Sequence, residues 1–229
     1  MRIERVLKEE SATPSGEVRI NEREEVVWVG ESSARLDARS ASTIVRLADG
    51  VFVHLDHSAK AYVEVALPMK LEDFFSPQEK ECLRQSPQAL ANTPATVKLT
   101  GEERLVEGRR ARKLRTEWEH FMGLRFEQDK WLSDDLPIDV GPYLQLIRHR
   151  AALSSVTRGW IDQVVGAGGF PIESTTKLHS DRGTRTVRRR LASVTVVDAD
   201  PSRYLPPPGY SPTLERPPLD LACVGTPRQ

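Results

Sequence analysis

The strongest constraint on the fold is a succession of short β-rich runs divided by turn residues. Residues 42–47 lead into Ala48-Asp49-Gly50, and residues 51–56 follow at once. Asp-Gly between two such runs marks a tight hairpin, because glycine accepts the positive φ that the turn demands. His57-Ser58-Ala59-Lys60 then turns the chain into residues 61–67, so three strands form a meander. Val51, Val53 and Leu55 alternate with Phe52 and His54, so the middle strand carries bulk on both faces.

The same texture extends in both directions. Val18, Ile20 and residues 26–29 indicate a long, interrupted strand, and Ala34-Arg35-Leu36-Asp37 a short one. Strands follow at 95–99, 104–106, 111–119 and 124–132, with turns at Gly101, Gly108 and Gly123. Residues 170–179 and 184–197 form a last hairpin around Asp181-Arg182-Gly183. The expectation is a mainly β (α+β) fold of roughly eight to eleven antiparallel strands.

Helices are expected near residues 71–85, 139–152 and 158–166. Ser76-Pro77-Gln78-Glu79 reads as a capping box with proline at the first helical position. Asp139 can cap the second helix. Trp160, Ile161, Val164 and Val165 fall at helical spacing in the third. Gly166-Ala167-Gly168-Gly169 terminates it. A phosphate-cradling loop would have to follow a strand and open a helix.

Eight of the sixteen prolines lie beyond residue 200, where the chain cannot feed a sheet ladder or a helix interior. Residues 1–210 are therefore read as one domain, closed by an extended segment over 201–210. Residues 211–229 are read as a proline-rich disordered tail.

Composition excludes several classes. Lys plus Arg equals Asp plus Glu at 33 each, and a net charge of zero argues against a nucleic-acid partner. No stretch approaches the ~20 apolar residues of a membrane helix, so any membrane association is expected to be peripheral. Residues 1–20 hold several charges and no apolar core of a signal peptide. That fits either a cytosolic chain or a mature form cut from a leader. Cys82 and Cys223 are too few for a disulfide framework and too far apart for a zinc knuckle. One disulfide and two free thiols both stay open.

No catalytic centre emerges. His54 and Asp56 would share one strand face and His57 the other, which is poor metal geometry. His120, His149 and His179 are isolated, and no Gly-x-Ser-x-Gly elbow exists. Asp134 and Asp135 point apart on an extended chain. The expectation is a non-enzymatic protein with no metal and no organic cofactor. Two basic clusters stand out: Arg109, Arg110, Arg112, Lys113 and Arg115, and Arg182, Arg185, Arg188, Arg189 and Arg190. Aligned on neighbouring strands they would form an anion-binding stripe. The plainer alternative, and the favoured one, is an outer face whose arginines pair with Asp and Glu.

Several ordered fragments carry a family resemblance. They are Ala34-Arg35-Leu36-Asp37, Ile44, Leu55-Asp56, Lys60-Ala61-Tyr62, Thr100-Gly101-Glu102 with Val106-Glu107-Gly108, and Trp131-Leu132-Ser133-Asp134-Asp135-Leu136-Pro137. Gly169-Phe170-Pro171-Ile172, Pro201, Tyr204 and Pro208-Gly209-Tyr210 complete the series. Their order resembles the bacterial lipoprotein-carrier (LolA-like) superfamily, nearest to an uncharacterised exported branch. The resemblance implies an open, strongly curved antiparallel sheet, an unclosed half-barrel with helices over its concave side. It also implies a periplasmic or cell-envelope location and lipid or acyl chains as ligands.

The aromatic set Trp28, Phe52, Tyr62, Trp118, Phe121, Phe126 and Trp131 falls on strands or their ends. It either fills a core or lines a cavity. The sharper expectation is an apolar cavity lined by some of Trp28, Phe52, Tyr62, Phe126 and Trp131, with the arginine stripe meeting a headgroup at its mouth. The expected function is non-enzymatic binding of a lipid, acyl chain or lipoprotein by a monomer. The alternative is an envelope interaction or sensor module with the same fold and no ligand cavity.

Overall fold

A computed structural model describes residues 1–12, 18–69, 93–119, 124–152, 154, 157, 159–180, 183–198 and 200–213. The helix expected over 71–85, Cys82, Phe121, Arg182, Cys223 and residues 214–229 lie outside them.

Among the described residues, twelve strands form one open sheet. They are β1 (Arg2–Ala12), β2 (Val18–Val29), β3 (Ser33–Asp37), β4 (Ala41–Arg46), β5 (Val51–Asp56) and β6 (Ala61–Ala66), then β7 (Ala95–Val106), β8 (Arg109–Glu119), β9 (Arg125–Ser133), β10 (Phe170–Ser180), β11 (Gly183–Thr195) and β12 (Ser211–Pro212). The spatial order is β12-β6-β5-β4-β3-β2-β1-β11-β10-β9-β8-β7. Every pairing is antiparallel except β12 against β6. The sheet does not close into a barrel, since β7 and β12 stand at opposite edges.

Three differences from the sequence reading have physical causes. β1 was not expected, because Arg-Ile-Glu-Arg-Val-Leu-Lys-Glu-Glu looks like a charged surface run. It lies at the centre of the sheet between β2 and β11, with Ile3 and Leu7 fully buried. The runs at 95–99 and 104–106 are one strand, β7, whose register slips between Leu99 and Glu103 around Gly101 at φ +80°. The ordered chain also passes residue 210: Ser211 donates to the Lys60 carbonyl at 3.0 Å and Thr213 to that of Tyr62 at 2.8 Å.

Two α-helices are described, α1 (Gly141–Ala152) and α2 (Ile161–Gly166). Asp139 meets the start of α1, its carboxylate accepting from the Gly141 amide at 2.8 Å. Arg148 and Asp162 join the helices by an ion pair at 2.8 Å. After α2 the chain reverses through Gly168 and Gly169, at φ +65° and +74°. A Cβ on Gly169 would sit 3.2 Å from Leu132 Cβ and 3.1 Å from the Asp134 carboxylate, so a side chain there would be both strained and crowded.

The sheet is buried on both faces where β4 and β5 run. Its inner face packs Val27, Leu36, Val45, Phe52, Phe170 and Ile172 against Tyr143 and Leu146 of α1. Its outer face buries Ile44, Val53 and Leu55 completely, under Tyr62, Tyr204 and Tyr210. The cover there is the C-terminal segment, which includes a short 3₁₀ turn (Pro201–Tyr204). Arg35 donates to the Arg203 carbonyl at 2.8 Å, and Arg46 to that of Tyr204 at 3.3 Å.

Candidate functional site

Beneath the helices, the inner face holds a cavity of about 480 Å³. This volume lies within the range of about 300–1,000 Å³ common for small-molecule sites. Its floor draws on β1, β2, β3, β8, β9, β10 and β11, and its roof on α1 and the segment leading into α2. Laid flat, β3 and β8 would stand about 29 Å apart at a strand spacing of about 4.8 Å. Both border one cavity of this size, so the sheet is strongly curved around it.

Alternation along β9 sends Phe126, Gln128 and Lys130 to the same face. These three residues grade from aromatic to charged over about 13 Å at the usual rise per residue. The register extends that gradient across the sheet. Phe126 pairs with Trp118 of β8, Gln128 with Thr176 of β10, and Lys130 with Ser174. Ser174 pairs in turn with Arg189 of β11, and Arg5 of β1 with Glu25 of β2.

One end is therefore apolar. Trp118 stacks on Phe126 with centroids 4.7 Å apart, and Trp160 closes over Trp118 at 5.3 Å. Ile147, Ala151 and Ile161 add aliphatic surface from the roof.

The other end is cationic. Arg5 donates to Glu25 at 3.0 Å and to the Tyr143 hydroxyl at 3.3 Å. Arg189 lies 3.8 Å from the same Glu25. Lys130 and Arg150 also line the cavity, and among the described residues neither has an ion-pair partner of its own. Burial, and then the charges of Arg189 and Arg5, hold the Lys130 ammonium down to about 8. Burial also lowers Arg150 and Arg189, with Glu25 opposing it. Four cations thus face one carboxylate.

The hydrogen-bonding capacity of the lining is unbalanced in the same direction. Arg5 Nε, Trp118 Nε1 and Trp160 Nε1 are buried without an acceptor. All three can only donate.

Of the aromatic residues expected to line a cavity, Phe126 lines this one. Phe52 is 1% exposed and belongs to the packed core under α1. Tyr62 covers Ile44, Val53 and Leu55 on the outer face. Trp28 donates to Asp37 at 3.0 Å and carries the Arg203 guanidinium 4.8 Å from its ring, beside the C-terminal segment. Trp131 is odd in register to Phe126 and Lys130, and the Arg104 guanidinium stacks on it at 4.0 Å. The sequence reading had not brought Arg5, Glu25, Lys130, Arg150 or Trp160 to the site. The one available signal was the inward spacing Phe126-x-Gln128-x-Lys130.

The basic clusters do not form one stripe. β8 and β11 are separated by β9 and β10, and alternation divides each cluster between two faces. Arg112 pairs with Asp134, Lys113 with Glu102, Arg115 with Asp129, Arg185 with Glu9 and Arg190 with Glu107. Among the described residues of this set, Arg189 alone reaches the cavity.

A second constellation resembles a nucleophile site and is not one. Ser42 lies 2.5 Å from an Asp37 carboxylate oxygen and 2.8 Å from His57 Nε2. The carboxylate can only accept, so the serine proton points to Asp37. His57 Nε2 must then donate to Ser42, and its Nδ1 accepts from the Tyr210 hydroxyl at 2.8 Å. A ring nitrogen that already carries its proton cannot deprotonate Ser42, which is 1% exposed in any case. The network ties the C-terminal segment to the sheet.

No family model and no curated protein matches the chain. The crystal structure of a LolA superfamily protein from Nitrosomonas europaea matches over 89% of this chain and 90% of that one, at 7% identity and a TM-score of 0.31. No helix among the described residues is long and apolar enough to cross a membrane.

Proposed function

We propose that this chain is a non-enzymatic binding protein that holds a lipid or acyl chain, free or attached to a lipoprotein, in the cavity on the inner face of its sheet. The observation that carries this reading is the wall formed by Trp118, Phe126 and Trp160 beneath the helices, beside an open volume of about 480 Å³. Transferring a chain from water to such a wall is favourable by about 0.8 kcal/mol per methylene, before association costs. The placement in the bacterial cell envelope rests on the sequence resemblance.

Native mass spectrometry of protein purified from its own host tests the reading. The expected result is a protein mass with one bound amphiphile, released by organic extraction. A uniformly ligand-free mass across mild preparations would overturn it and favour an interaction module.

A further inference from the structure

The cavity is not merely apolar. Arg5, Lys130, Arg150 and Arg189 face it, with Glu25 as the opposing charge. Glu25 is already engaged by Arg5 at 3.0 Å and approached by Arg189 at 3.8 Å. Lys130 and Arg150 are left without a carboxylate of their own among the described residues. Arg5 and Glu25 are buried, Lys130 and Arg189 are half-buried, and Arg150 stands exposed at the rim, so the positive charge runs from the cavity floor to its mouth.

The donor surplus is an independent sign. Arg5, at the cationic end, is 6% exposed, and its buried Nε has no acceptor. Buried polar groups are normally paired, so an acceptor-less donor at the end that holds Lys130 and Arg189 adds to the positive character there.

We infer that the ligand is an amphiphile with an anionic head, a carboxylate or phosphate, seated on Lys130, Arg189 and Arg5, its tail lying along Gln128 toward Phe126 and Trp118. This deepens the proposed function and rests on it. The register sets the polarity: Lys130 and Phe126 lie four residues apart on one strand face, so head and tail are held about 13 Å apart. The head enters a site that already holds its counter-charges. A neutral or cationic head of the same size would leave those charges unpaired or repelled.

The test is calorimetric titration of the full chain with four single-chain amphiphiles below their micelle concentrations: dodecanoate, dodecyl phosphate, dodecanol and dodecylamine. At least one of the two anions should bind about tenfold or more tighter than dodecanol, with dodecylamine weakest. The stronger of the two names the head. Lys130→Met should erase the preference for the anion over dodecanol, and Lys130→Arg should retain it. Equal affinity for anion and alcohol, or tighter binding of the amine, would overturn the inference and leave the apolar site standing. Failure of all four to bind would remove both.

Discussion

The indole of Trp118 lies flat on the ring of Phe126, with centroids 4.7 Å apart and planes 6° apart, on directly paired residues of β8 and β9. The pair forms a wall of the cavity, with open space on one side. Phe126→Ala should therefore cost about 1 kcal/mol of stability, near the value of one aromatic pair. It should weaken binding of any apolar chain by about tenfold, since each buried contact with the tail is lost. Denaturant melts and titrations of the same variant separate the two effects.

Phe52 should behave differently. It is 1% exposed and packed against neighbours on every side. Phe52→Ala should destabilise the fold by about 3–5 kcal/mol. Ligand affinity, measured where the variant remains folded, should stay near that of the parent. A mild Phe52→Ala and a severe Phe126→Ala in the same urea series would contradict the assignment of core and wall.

Lys130 should be a residue that the fold holds at a cost. Its folded pKa of about 8 lies below the usual 10.5, so the folded state disfavours the charged form. Below about pH 8 both folded and unfolded chains carry the proton and the whole penalty is present. Between about 8 and 10.5 the unfolded chain binds more protons than the folded one, so stability rises with pH. The penalty is at most about 3 kcal/mol. Lys130→Met should thus be more stable than the parent at neutral pH, and its advantage should shrink as pH rises toward about 9.5. Arg5, Glu25, Tyr143, Arg150 and Arg189 also stand around this end of the cavity, with His54 near Arg150, and all are common to both proteins. The difference between the two melting curves therefore isolates Lys130. An advantage that grows with pH would contradict the assignment.

The C-terminal segment should be structural. Tyr210 reaches His57 at 2.8 Å, and Tyr204 and Tyr210 cover Ile44, Val53 and Leu55. Tyr210→Phe should cost about 1 kcal/mol, the usual worth of one hydrogen bond. Ending the chain after Asp200 should lower the melting temperature sharply, because three fully buried side chains would meet water. A tautomer-sensitive ¹⁵N spectrum should show His57 protonated on Nε2.

These contrasts show what the sequence could and could not convey. The β meander was legible because Asp49-Gly50 and the flanking alternation are local signals. The end of α2 was legible for the same reason, with Gly168 donating to the Val165 carbonyl at 3.0 Å. Which face of the sheet curves inward was not legible. Bulk on both faces of β5 requires a cover on each, and the outer one is a segment about 150 residues later in the chain, whose docking no local pattern announces. That is why Tyr62 and Trp28 pack outward. β1 was hidden for a related reason. Its inner face reads Ile3, Arg5, Leu7, and Arg5 breaks the apolar alternation because it serves the cavity.

The central claim is that the wall beside Phe126 takes up an apolar chain. Titration of a fluorescent fatty acid into the wild-type chain and into Phe126→Arg, with both variants' melting curves in hand, tests it most directly. The wild type should show saturable binding at one site, and the folded Phe126→Arg variant should lose at least about tenfold in affinity. Wild-type protein that shows no saturable binding to fatty acids, lysophospholipids or diacyl lipids would contradict the account, as would undiminished binding by folded Phe126→Arg.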